Sequence, residues 1–303
     1  MRLRIFLYVF KNEDIIMNQF SELLKIGTCS WKYPSWKGII YSKDVGDYLN
    51  EYARHYNTVE IDQWFWSLFP GNNITLPKPE IVAGYVNAVP DDFQFSIKVP
   101  NAVTLTHHYR KDKKEAFKQN PFFLSSDIFN EFLKLLQPMK NQVGAFIFQF
   151  EYLNKMKMPN QIAFQKKFST FIKKCPLGFN YCLEIRNPNY INEEYFHFLK
   201  SVNLSHVFLQ GYYMPPIFDL YEKYHDLIER FSVIRLMGND RKKMEKISHS
   251  IWNQLWEPKD EELDRLEIMI SDLLSKEVRL IVNVNNHYEG SAPLTIERLI
   301  RRF

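Results

Sequence analysis

The chain has 303 residues, 46% hydrophobic and 24% charged, which excludes a disordered chain and allows a large core. Its formal net charge of +4 does not indicate a strongly basic nucleic-acid binder. Three cysteines (Cys29, Cys175 and Cys182) show no C-x-x-C or Cys/His metal spacing, and their odd number excludes a full disulfide framework and favours a reducing cytoplasmic location.

The N-terminus opens with Arg2-Leu3-Arg4 and the apolar stretch Ile5–Phe10, too short to span a bilayer. Lys11, Asn12, Glu13 and Asp14 follow, where a signal peptide would carry small cleavage-site residues. Residues 1–24 are therefore expected to be an extension, with Met17 an alternative start and one domain over 25–303. No membrane partner is expected. The basic runs Lys111-Asp112-Lys113-Lys114 and Arg241-Lys242-Lys243 read as solvated loop or helix faces.

From Leu24 onward a short apolar or β-branched run recurs, each followed by a helix-periodic segment. The first run is Leu24–Gly27, with a helix near Asp47–Tyr56. Thr58–Ile61 precedes a helix near Pro79–Asn87, and Phe93–Val99 precedes one near Ser126–Gln137 that Pro138 stops. Val143–Gln149 is paired with Gln161–Lys174, and Tyr181–Ile185 with Glu193–Val202. Ser205–Leu209 leads through Pro215-Pro216 to a helical segment near Asp219–Arg230. Ser232–Leu236 precedes a long helix near Asp260–Lys276, and Arg279–Val284 a short one near Leu294–Arg302. Eight such units fit a single-domain α/β protein, a (β/α)8 TIM barrel, better than an open doubly wound sheet. The turn Gly27-Thr28-Cys29-Ser30-Trp31 is not the Gly-x-Gly-x-x-Gly of the open fold.

Barrels of this type carry their sites at the C-terminal ends of the strands. Polar residues collect there: Glu60, Asp62, Lys98, Gln149, Glu184, Arg186, Arg235, Asn283, Asn285, Asn286 and His287. Strand alternation puts Gln94, Ser96 and Lys98 opposite Phe93, Phe95, Ile97 and Val99, and puts Cys182, Glu184 and Arg186 on one face. Unpaired buried charges are costly, so Glu60, Lys98, Glu184, Arg186 and Arg235 are expected to neutralise one another, either around a ligand site or as an ion plug.

Five motifs resemble the YecE-like family, a TIM-barrel group catalogued as a domain of unknown function. They are Ile26–Trp31 with Tyr33-Pro34, Trp36 and Gly38; Thr58–Ile61; Phe95, Lys98 and Thr106-His107; Glu184-Ile185-Arg186; and Asn285-Asn286-His287 with Gly290 and Ala292-Pro293. The resemblance covers Ile26 to about Ile296 and implies the fold and a polar barrel mouth, but no reaction. The chain departs from the pattern at Cys29, Asp62, Phe150-Glu151, Asn187 and Met237; two of these, Asn187 and Met237, stand where the family has histidine.

Two carboxylates held in different environments can divide acid and base roles, which makes Glu60 and Glu184 the candidate catalytic pair. Lys98, His107, Gln149, Arg186, Arg235, Asn285 and His287 are the candidate ligand contacts, because guanidinium forks suit phosphate and carboxylate. Trp31 and Trp64 are candidate stacking surfaces, with space-filling under long loops as the alternative. Cys29, standing in for a serine, is read as passive. No H-x-H or H-E-x-x-H spacing supports a metal among Glu60, Asp62, His107, Glu184 and His287, and no metal site is expected; the cofactor is left unassigned. The expected function is a hydrolase or lyase acting on a phosphorylated or nucleic-acid-like substrate, with a non-catalytic binder of an anionic small molecule as the alternative. An anion is expected to bind more tightly near pH 6 than near pH 8 if His107 or His287 titrates at its ordinary pKa.

Overall fold

The computed structural model describes residues 22–110, 112 and 115–303. The expected extension up to residue 21, including Met17, lies outside the described residues, as do Lys111, Lys113 and Lys114 of the first basic run.

All eight expected runs are strands: β1 (Leu24–Thr28), β2 (Thr58–Ile61), β3 (Gln94–Lys98), β4 (Val143–Phe150), β5 (Tyr181–Ile185), β6 (Ser205–Gly211), β7 (Phe231–Gly238) and β8 (Arg279–Val284). Their order, β1-β8-β7-β6-β5-β4-β3-β2, closes into a barrel, so the fold is a (β/α)8 TIM barrel.

The helices are α1 (Tyr48–Tyr52), α2 (Pro79–Ala88), α3 (Asn101–Thr104), α4 (Ser126–Leu135), α5 (Gln161–Ile172), α6 (Glu193–Ser201), α7 (Ile217–Tyr224), α8 (Arg241–Ser248), α9 (Asp260–Ser275) and α10 (Ala292–Ile300). Most match expectation within two or three residues. α1 is shorter than Asp47–Tyr56: the Asp47 carboxylate caps Leu49 N and Asn50 N, and beyond Tyr52 the chain continues in turns. The segment expected near Asp219–Arg230 begins earlier, at Ile217, and ends at Tyr224 with a 3-10 turn over His225–Leu227. α3, α8 and a small antiparallel pairing of Leu68–Phe69 with Asn73–Ile74 were not anticipated.

By compactness the chain divides into two units. The first holds the described residues up to Glu60, with Asn87–Phe95 and Val207–Phe303. Here β1 and β2 meet so closely that a Cβ on Gly27 would lie 1.9 Å from the Thr58 carbonyl oxygen. The buried Tyr52 hydroxyl ties the two strands, donating to Thr58 O at 3.0 Å and accepting from Thr28 N at 2.9 Å. Phe93 and Phe95 face the helix layer, with Phe93 edge-on to Tyr52, as the alternation predicts.

The second unit holds Ile61–Val86 and Ser96–His206. Its core is aromatic. Phe146 and Phe148 of β4 and Tyr181 of β5 pack on Phe129 of α4, and Phe148 and Phe150 reach Phe168 of α5. Each buried ring removes some 150–250 Å² from water, which fixes the register. Because these rings take the helix-facing side, Ile147, Gln149, Cys182, Glu184 and Arg186 fall on the other.

Candidate functional site

In the first unit, Glu60 and Arg235 form a two-point ion pair. Arg235 Nε donates to Glu60 Oε2 and a terminal guanidinium nitrogen donates to Oε1, both at 2.7 Å. Glu60 is 0% and Arg235 1% exposed. Arg235 also sits beside Asn283 across the β7–β8 register. This carboxylate is a buried counter-charge, and Arg235 is directed at it.

At the end of β8, the Asn285 side chain accepts from His287 N at 2.9 Å, which fixes its oxygen toward the ring, where His287 Nδ1 meets it. His287 Nε2 lies 3.4 Å from Glu245 Oε1, and Glu245 is bonded to Arg241 at 2.7 Å. Trp252 packs edge-on against the imidazole. Burial, then the nearby Arg241 charge, hold the His287 pKa below its ordinary value against the pull of Glu245. Cys29 packs with Leu209 and Met237 in an apolar cluster, its sulfur 3.6 Å from that of Met237, in keeping with a passive role.

In the second unit, Glu184 is fully buried and accepts from Arg186 Nε at 2.9 Å, while 26% of the Arg186 side chain remains exposed. Gln149 lies beside Glu184 in the β4–β5 register and is 7% exposed. Its Oε1 is buried and finds no hydrogen-bond partner among the described residues. Behind Glu184, His206 bonds Tyr195 at 3.0 Å, and burial drives its pKa down to about 3 despite the neighbouring carboxylate. Lys98 places its ammonium 4.2 Å from the Phe65 ring centroid. Asn187 clamps the neighbouring loop, accepting from Leu153 N at 2.8 Å and donating to Leu153 O at 3.1 Å. This position therefore serves the backbone of that loop.

His107 lies in the loop after β3. Its Nδ1 is 3.0 Å from Thr106 Oγ1 and its ring packs on Phe117. Burial, then the charge of Lys157, lower its pKa from 6.5. Both candidate histidines are therefore held below their ordinary pKa, which moves any gain in anion binding to lower pH. Trp31 and Trp64 are 6% and 8% exposed, and Trp64 is stacked on Tyr85 and edge-on to Phe132. Both indoles are buried, whereas Trp66 is exposed, at 58%.

Sequence reasoning did not find Glu245, Arg241, Tyr195 or His206. The only signal for Arg241 was the basic run Arg241-Lys242-Lys243, read as a solvated loop or helix face; Glu245 lies just beyond it. Among the described residues, no three His, Cys, Asp or Glu side chains come together to hold a metal ion.

The chain is 27% identical over 168 residues to the UPF0759 protein YecE of Escherichia coli K12, covering 55% of this chain and 50% of that protein. It thus spans about half the length of the curated relatives it matches. A DUF72 family protein from Enterococcus faecalis V583 superposes with a TM-score of 0.62 at 18% identity, covering 92% of this chain and 94% of that one. One from Thermotoga maritima MSB8 gives 0.61 at 18% identity, covering 92% and 97%. A psychrophilic glycoside hydrolase family 10 xylanase shares the fold at 0.51 and 8% identity, covering 91% and 97%. At such identities these structures bear on the fold alone. The model of the protein of unknown function family DUF72 matches residues 25–303, and the chain belongs to that YecE-like family.

Proposed function

We propose that the strand-end cluster of Lys98, Gln149, Glu184 and Arg186 binds an anionic small molecule, a phosphate ester or nucleotide-like compound. The observation that carries this reading is the Arg186 guanidinium. Glu184 orients it at 2.9 Å, yet its side chain stays 26% exposed. A charge-assisted contact from such a pre-oriented fork is roughly twice as strong as a neutral one. Gln149 adds a polar group on the same face, and His107 stands in the loop beyond.

A second reading makes the protein a hydrolase or lyase. It is favoured by the full burial of the Glu184 carboxyl within electrostatic reach of Tyr195 and His206, two further groups able to hold a proton. Glu60, locked onto Arg235, leaves proton transfer to Glu184 alone. A macromolecular nucleic acid is a poor fit to a net charge of +4. Among the described residues no helix is long and apolar enough to cross a membrane. We place the protein in the cytoplasm, where its three buried thiols stay reduced; burial pushes the Cys175 thiol up to about 12.

Native mass spectrometry of the purified chain, with inorganic phosphate added where nothing is retained, tests the binding reading. An anion bound to the wild type and absent from Arg186→Ala supports it. A wild type that flies at its own mass with and without phosphate overturns it. Turnover of a phosphate ester lost in Glu184→Gln, with binding kept, would establish the second reading.

A further inference from the structure

The 32 residues between Glu151 and Glu184 carry six lysines and no acidic residue, so this one segment exceeds the net charge of the whole chain, +4. At its centre is α5, which faces a cavity of about 550 Å³ inside the second unit. Lys166 and Thr170 form one row along the helix at four-residue spacing, Lys167 and Phe171 lie in the next, and Lys174 follows in the turn after the helix. Phe123 and Leu124, from the turn before α4, close the other side. The floor is apolar, with Phe171 3% exposed, whereas the three lysines are exposed and, among the described residues, no acidic one lines the cavity. Thr170 donates to the Lys166 carbonyl and holds that turn of the row.

Three ammonium groups around one concavity repel one another and favour a counter-ion. Hydrated inorganic anions would leave the apolar floor wet; a ligand with both an anionic head and an apolar body satisfies both features. The volume lies within the roughly 300–1,000 Å³ usual for small-molecule sites. We propose that this groove is a second binding site, for a small amphiphilic anion: an aliphatic or aryl group bearing a carboxylate, sulfonate or phosphate. The lysines would hold the head, and Phe123, Leu124 and Phe171 the body.

The probe is 1-anilinonaphthalene-8-sulfonate, titrated by fluorescence into the full chain at low salt. Its uncharged analogue N-phenyl-1-naphthylamine is the control. Lys166→Glu and Lys174→Glu alter exposed side chains, so the fold is retained, checked by circular dichroism. Each reversal should raise the Kd for the sulfonate about tenfold and leave the weaker binding of the neutral analogue unchanged. Decanoate should displace the probe, and an equal concentration of sulfate should not. Sulfonate affinity unaffected by both reversals, or a neutral analogue that binds as tightly as the sulfonate, would overturn the proposal. Displacement by polyglutamate but not by decanoate would also overturn it, assigning the groove to an acidic peptide.

Discussion

Arg235→Met removes one half of a sealed ion pair and leaves the Glu60 carboxylate buried. With charge centres about 4 Å apart and an effective dielectric of about 20, the lost attraction is about 4 kcal/mol. Both side chains are essentially unexposed, at 2% and 0%, so water does not reach the orphaned charge. Breaking such a pair costs about 3–5 kcal/mol. At a urea slope of about 3 kcal/mol/M the unfolding midpoint should fall by about 1–1.7 M. The double variant Glu60→Gln/Arg235→Met removes both charges and should recover most of the loss, giving a coupling of about 2 kcal/mol or more. Urea titration followed by intrinsic tryptophan fluorescence measures these two variants, the single Glu60→Gln that completes the cycle, and the wild type. An Arg235→Met midpoint within about 0.3 M of wild type would refute the claim that the pair is a sealed counter-charge.

Other positions give independent tests. His206 has a folded pKa of about 3 against 6.5 in the ordinary state, so its contribution is present above 6.5 and lost as pH falls between those values. Unfolding free energy should drop by up to about 1.4 kcal/mol per pH unit there, and His206→Asn should flatten that slope in denaturant titrations between pH 6 and pH 4. Gly27→Ala sets a methyl against the Thr58 carbonyl and should cost at least about 3 kcal/mol by thermal or urea unfolding; a cost under about 1 kcal/mol would mean the strands separate easily. Because burial and Lys157 depress His107, most of any rise in sulfate affinity on acidification should fall below pH 6.5; a rise already half complete at pH 6.5 would place a histidine of ordinary pKa in the site.

The barrel was legible because the strands of a closed parallel sheet are short apolar runs with a helix-facing side that must be apolar. In β4 this is Phe146, Phe148 and Phe150, and the alternation then assigns Gln149 to the opposite face. Glu184 and Arg186 were legible as neighbours for the same reason, being two apart on one strand. Which cation meets Glu60 was not: Arg235 lies 175 residues away, and parity fixes a face but not a partner on another strand. α8 escaped because only Met244 and Ser248 of its eight residues are buried, leaving no apolar stripe to read. The sequence left Trp31 and Trp64 open between stacking surface and space-filling under loops; both are buried, and Trp64 is stacked on Tyr85, which apolar character alone could not decide.

The most direct test of the account is calorimetric titration of sulfate into the wild type, Arg186→Ala and Lys98→Ala at pH 7 and low ionic strength. The wild type should bind one sulfate, with each variant losing about tenfold in affinity, the equivalent of one charge-assisted contact. Wild-type binding that survives both substitutions unchanged, or no binding by the wild type at all, would contradict an anion site at these strand ends.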